Sequence, residues 1–267
     1  MRRLFAIALL LICGPALAST YDDFSRGIDA NNHGDTDAAI KLFTRSIEGG
    51  DLAPSYLPSA HLGRARALLH NRNCTFAYAD LSDAILLRPD FVDAYSLRAE
   101  VDQCLNRDDA ALADATAAIR LRPAAGYYFT RARLLWGKGS FEQAQADASL
   151  AAARDPANAY FLLWQAMTAQ RIGAHDPVRF AQLTAPLDGW PKPLLDLFAG
   201  RASPEDVLRA ASRNPNQKCE ADFYIGEWQL SRGDAGTAKT LFQTAAAECP
   251  RDYIAFDAAQ RELKRGP

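Results

Sequence analysis

Small and apolar residues along the first 170 positions come in runs at helical spacing, two runs to a unit, with a short polar or glycine-containing turn such as WGKGSF between them. The pattern predicts helical hairpins, and it repeats. Arg64-Ala65, Arg98-Ala99 and Arg131-Ala132 stand 34 and 33 residues apart. Ala77, Ala111 and Ala144 keep the same step, as do Asp80, Asp114 and Asp147, and Pro89, Pro123 and Pro156. Four independent features advancing together define a structural repeat of about 34 residues. The alanines sit where two helices must approach closely, and the closing proline cannot continue the second helix, so it sets the break before the next unit.

The phase breaks in residues 173–217. Pro177, Pro186, Pro191, Pro193, Pro204 and Pro215 forbid long helices there, although PLLDLFAG and SPEDVLRAASRN each suit a short one, the second N-capped by Ser203 with Pro204 at its first position. The tail from Asp252 to Arg265 carries Tyr253, Phe256, Ala259 and Leu263 at helical spacing with polar residues between, as expected of a solvating cap helix on the last unit. The division expected is a leader at 1–18, a repeat array at 19–172, a proline-rich helical joint at 173–217, and a final unit with its cap at 218–267.

Composition narrows the compartment and the chemistry. The first twenty residues, MRRLFAIALLLICGPALAST, combine two arginines, an apolar run from Leu4 to Cys13 and the small-x-small trio Ala16-Leu17-Ala18. These are the parts of a secretory signal peptide cut after Ala18. The run is shorter than the roughly 20 residues a membrane span needs, and no later segment comes close, so no transmembrane segment is expected. A lipid anchor on Cys13 is disfavoured because β-branched Ile12 precedes it, where a small residue is required. Periplasmic secretion is the expectation. Loss of Arg2 and Arg3 leaves 28 basic against 32 acidic side chains, which supplies no electrostatic footprint for nucleic acid. Four cysteines remain, Cys74, Cys104, Cys219 and Cys249, an even number in a compartment where disulfides persist.

These residues resemble the tetratricopeptide (TPR) repeat, with a small residue in the first helix, GSFEQA or GDTDAA at the turn, an alanine-rich second helix and a terminal proline. RGIDANNHGDTDAAIKLFTRSI fits through Gly27, Gly34, Asp35, Ala39, Phe43 and Ile47. ADFYIGEWQLSRGDAGTAKTLFQTAAAECP fits through Gly226, Gly233, Asp234, Ala238, Phe242, Ala245 and Pro250. There are five clear units and one degenerate unit beginning near Ala159. The resemblance implies an all-α, right-handed solenoid of helical hairpins, with the phase break before its last repeat. WPKPLLDLFAGRASPEDVL, KCEADFYIGEWQLSRGD and CPRDYIAFDAAQRELKR together look like the C-terminal half of NlpI-like TPR proteins of the bacterial envelope. That narrower likeness implies an adaptor for enzymes that remodel peptidoglycan.

If the hairpins stack as TPR units, Cys74 and Cys104 fall on the turn edge of neighbouring units, and Cys219 and Cys249 on the meeting ends of one antiparallel hairpin. The expected disulfides are then Cys74–Cys104 and Cys219–Cys249, each stabilising by roughly 2–4 kcal/mol, with free buried cysteines as the alternative. The recurrent Arg and Asp are expected as interhelical ion pairs, Arg98 with Asp80 or Asp114 and Arg131 with Asp114 or Asp147. First helices line the concave face of such arrays, which would place Arg66, Leu69, Glu100, Gln103, Arg133, Trp136, Gln170 and Arg171 there, with Phe129 deeper. Arg133 and Trp136 are the expected anchors, unless Trp136 packs between helices.

Catalytic parts are missing. Only His33, His61, His70 and His175 are present, with no H-E-x-x-H, no G-x-S-x-G and no phosphate-binding glycine loop. No C-x-x-C pair supports a metal site or thiol redox chemistry, and no cofactor is expected. The reading is a non-catalytic periplasmic adaptor that docks a peptide segment or an envelope protein, as a helix or an extended strand, in its groove. A self-associating homodimer module is the alternative, and an envelope enzyme of unrecognised type comes third.

Overall fold

The structure is a computed structural model that describes residues 19–251 and 253–266. The expected signal peptide at 1–18 lies outside the described residues. Fifteen α-helices and no strand are found among those described. Four hairpins follow one another: α1 (Thr20–Asn32) with α2 (Thr36–Glu48), α3 (Leu57–His70) with α4 (Cys74–Leu87), α5 (Val92–Cys104) with α6 (Asp108–Leu121), and α7 (Ala125–Lys138) with α8 (Phe141–Arg154). Each helix packs on its hairpin partner and on the hairpin beside it. The alanines of the repeat are the contact points, since Ala65, Ala77, Ala99, Ala111, Ala132 and Ala144 are all fully buried.

The repeated Arg and Asp form one device used three times. Arg64 grips Asp80 through two hydrogen bonds of 2.7 and 2.8 Å, and Arg98–Asp114 and Arg131–Asp147 repeat that fork at 2.6 and 2.9 Å. The remaining guanidinium nitrogen of each donates to a hydroxyl on the second helix of the preceding hairpin, Thr44, Ser82 and Thr116. Each arginine therefore ties its own hairpin together and staples it to the one before.

Helix α9 (Ala159–Arg171) opens the degenerate unit, and its place in the phase break is completed by three short helices, α10 (Pro177–Thr184), α11 (Lys192–Phe198) and α12 (Pro204–Ala211). The last two are the short helices expected from the sequence, with the Ser203 capping box in place; α10 is additional, started by the side chain of Asp176. The last hairpin, α13 (Pro215–Ser231) with α14 (Ala235–Glu248), repeats the packing of the first. A Cβ at Gly226 would lie 2.7 Å from the Phe242 ring, as one at Gly27 would lie 3.0 Å from that of Phe43. Both disulfides are formed, Cys74–Cys104 between neighbouring hairpins and Cys219–Cys249 within the last one.

The tail forms the expected cap helix, α15 (Ile254–Arg265), on the last hairpin. It packs on α14 and α13 and, beyond what was expected, turns back against α7, burying Ala255, Phe256, Ala258, Ala259 and Glu262. A face of four apolar residues removed from water outweighs the polar positions between them. The apolar interior of the whole C-terminal half, from Leu135 on α7 to Ala259 on α15, is consequently one continuous core. The preceding hairpins have three small separate clusters instead.

Candidate functional site

The first helices α3, α5 and α7 run side by side, and what they present to the concave side differs along the array. Where α15 lies, the concave side is filled. Arg261 on α15 donates to Asp108 at 3.0 Å and, with the Gln103 amide oriented oxygen-inward, to Gln103 at 3.2 Å. Arg265 donates to the carbonyls of Trp136 and Gly137 at 2.9 and 3.2 Å, neutralising the negative end of α7. Gly137 lets the helices meet: a Cβ there would stand 2.8 Å from the Arg261 side chain.

Four of the residues expected on the concave face are engaged by other packing, three of them, Trp136, Gln170 and Arg171, on the side where α15 lies. Trp136 is 1% exposed and packs edge-on against Trp164 and Phe223, so it is core and not an anchor. Phe129 stacks with Phe161 and Trp164. Arg171 pairs with Glu262 of α15 and lies 3.7 Å from Glu227, and Gln170 keeps a buried side-chain oxygen with no partner beside it. Burial lifts the Glu227 carboxyl to about 7 against the pull of Arg171 and Arg265. The buried charges beneath α15 are paired unevenly: Glu262 pairs with both Arg171 and Arg265, while polar atoms of Arg171 and Glu227 lack a hydrogen-bond partner.

The other five expected residues, Arg66, Leu69, Glu100, Gln103 and Arg133, come together around one open cleft of about 420 Å³. Its remaining walls were not foreseen: His70 and Arg72 at the end of α3, Leu97 and Cys104 of α5, and Arg251, Ile254 and Asp257 at the start of the returning tail. A second hollow of about 360 Å³ continues past Arg72 and Asp257 toward Arg261 and Lys264. Arg72 and Asp257 face each other across the divide at 3.8 Å. Burial raises the pKa of the Asp257 carboxyl, against Arg72, Arg133, Arg261 and Lys264, which pull it down.

Arg72 is also unusual in its backbone. It occupies the turn of the second hairpin at φ +59°, in the left-handed region, where the first, fourth and last hairpins place Gly34, Gly139 and Gly233 and the third places Asn106. For a long side chain that conformation costs on the order of 1–2 kcal/mol. The signal was readable in the sequence as an arginine standing where the other turns carry glycine. The tail offered another signal, since Asp257, Arg261 and Arg265 recur every fourth residue and so form a charged stripe down one helix face.

No protein-family model matches the chain. Its fold is similar to that of a tetratricopeptide repeat protein from Parabacteroides merdae, with a TM-score of 0.59 at 13% identity over 91% of this chain and 98% of that one. It is also similar to a crystal structure of MamA, with a TM-score of 0.50 at 14% identity over 73% of this chain and 92% of that one. At such identities the likeness speaks for the fold.

Proposed function

We propose that this tetratricopeptide repeat solenoid is a non-catalytic adaptor of the periplasm that holds a segment of another envelope protein, for instance a peptidoglycan-remodelling enzyme, in the open part of its concave face. One observation carries the reading: residues from three successive first helices and from the tail converge on a single cleft whose polar groups are left exposed. Since α15 fills the neighbouring groove, a docked helix of about 10–12 Å diameter has no room there, and an extended segment fits better. The carboxylates that burial raises furthest, Asp222 and Glu227, belong to the interior of the C-terminal half, while the cleft holds Asp257. Two disulfides support an oxidising compartment, and among the described residues no helix is long and apolar enough to cross a membrane.

Photocrosslinking tests the reading. A photoreactive residue at Leu69 or Glu100 is expected to capture a distinct envelope protein in cells, and one at Leu86, exposed on α4, is not. Self-association is the second reading, favoured by Phe76, Leu86 and Leu87 standing exposed on α4. Crosslinks only between copies of the chain, together with a mass that rises with concentration, would replace the adaptor reading with it.

A further inference from the structure

The cleft has a sign. Among the described residues, Arg66, Arg72, Arg133 and Arg251 line it against two carboxylates, Glu100 and Asp257. Among the described residues Arg66 and Arg251 make no ion pair, and Arg133 lies over the Phe129 ring at 5.7 Å and acts on the Asp257 carboxylate without a direct ion pair. This contrasts with Arg64, Arg98 and Arg131 on the same three first helices, each of which is locked to an aspartate at 2.6–2.7 Å. Among the described residues, the carboxylate that reaches into the cluster from the far wall is Asp257, and its separation from Arg72 is 3.8 Å, longer than a direct hydrogen bond. A chain that is acidic overall thus keeps unpaired guanidinium groups together in its one five-residue meeting place on the concave face.

Arg72 supplies an independent observation. Its left-handed backbone would be relieved by glycine, the residue at the same turn of three other hairpins. Arg72 thus carries its charge to the cleft, opposite Asp257, from a backbone conformation that disfavours a long side chain. The floor supplies the rest of the ligand's description. Leu69, Leu97 and Ile254 offer apolar contact between the arginines. Glu100 can accept backbone N–H groups but would repel a phosphate or sulfate.

Building on the groove-binding reading above, we propose that this cleft binds an extended acidic peptide segment, a side-chain carboxylate of which takes the place beside Arg72 and Arg133 that Asp257 fills from α15. Helix α15 stays in the core through Phe256 and Ala259; only the Asp257 side chain yields. Asp257 is an internal stand-in for the ligand, and it lowers affinity for weakly acidic sequences.

The test is a selection from a displayed random heptapeptide library on the whole protein, followed by fluorescence anisotropy of the enriched peptides. Enrichment of peptides with two or more Asp or Glu beside an apolar residue is expected. Arg66→Ala with Arg133→Ala should weaken them at least about tenfold, the scale of one charge-assisted hydrogen bond. Asp257→Ala should tighten them by about threefold or more, because the competing carboxylate is gone, and binding should weaken steadily as salt rises. Arg72→Gly should weaken binding while keeping the thermal midpoint, which separates a recognition role from a structural one. Enrichment of neutral or basic peptides that still lose affinity in the Arg66, Arg133 variant would keep the groove and overturn the acidic ligand. Acidic peptides indifferent to Asp257→Ala would overturn the stand-in. No enrichment, or anionic oligosaccharides binding where peptides do not, would overturn the proposal altogether.

Discussion

The four N-terminal hairpins and the block from α9 to α15 are made from the same helical unit, yet they hold their buried carboxylates in opposite electrical surroundings. In the array, the hydrogen-bonded Arg45 holds Asp23 below the usual carboxylate range. Burial alone would raise Asp80, but the hydrogen bonds from Arg64 and His61 prevail and hold it low. Only Asp102 departs from this among the array's shifted, buried carboxylates, raised by burial and by Asp114. In the block the order is reversed. Burial lifts Asp222 to about 6 and Glu227 to about 7, and it lifts Glu220 against hydrogen bonds from Trp190 and Tyr160. A repeated unit satisfies its charges within itself and with its neighbour, so its concave face stays free. The block instead closed its concave face with a helix from outside the repeat, and the polar groups under that helix were not matched one by one.

The largest expected effect breaks the block. Phe223 is fully buried, with its ring about 6.0 Å from those of both Trp136 and Phe242. Phe223→Ala should cost about 3–5 kcal/mol. Hydrogen exchange should show protection lost together from α7 to α15 while α1 to α4 keep theirs, because solenoid units couple mainly to their neighbours. Uniform loss along the whole chain would erase the distinction between the two regions.

The opposed carboxylates sharpen the comparison through pH. The folded pKa of Glu227, about 7, lies above its ordinary value of 4.5, so its carboxyl burdens the fold only once ionised. Its contribution is fully favourable below about pH 4.5 and is lost as pH rises to 7, by roughly 2–3 kcal/mol. Asp222 adds a smaller loss between 3.8 and about 6. Glu227 feels Arg171 and Arg265, both of which also pair with Glu262, and Glu227→Gln should remove most of the decline. Asp80 has the opposite sign: with its folded pKa below 3.8, its stabilisation is present above that value and lost in acid. Acidification should therefore loosen the array while firming the block, as followed by exchange at pH 3.5 and 7. Parallel pH profiles in the two regions would contradict it.

The smallest effect is the most local. Asp114→Asn keeps the shape of the Arg98 fork and removes its charge, at an expected cost of about 1–2 kcal/mol. Exchange should quicken in α5 and α6 and at their contacts with α4, with α13 and α14 unchanged. A response in the last hairpin would mean that the staples transmit along the solenoid.

Much of the fold was legible because the repeat states it several times over. The Arg and Asp residues one hairpin apart fall into register only if the helices pair as they do, and the choice between alternative partners for Arg98 and Arg131 was settled by which aspartate lies on the same hairpin. The two disulfides follow from that stacking. Legibility ended in the candidate site. Arg66, Leu69, Glu100, Gln103 and Arg133 were recognisable from helical position alone, since a first helix presents the same face in every unit. Trp136, Gln170 and Arg171 occupy equivalent faces and are nonetheless covered, because the element that covers them lies about 90–120 residues further along the chain.

The sequence by itself determined the hairpin, its period, the ion pairs inside it and the cysteines that can meet. Tertiary structure alone decided that α15 turns back into the groove, dividing the concave face into a filled half and an open, arginine-lined one. The physical reason is that an apolar stripe on a helix specifies that a face be buried and leaves the burying surface undetermined. Ala255, Phe256 and Ala259 are buried where α15 packs on the last hairpin. That α15 also reaches α7 depends on a core in which Trp136, Trp164 and Phe223 converge from three distant helices, a surface that exists only once the chain has folded.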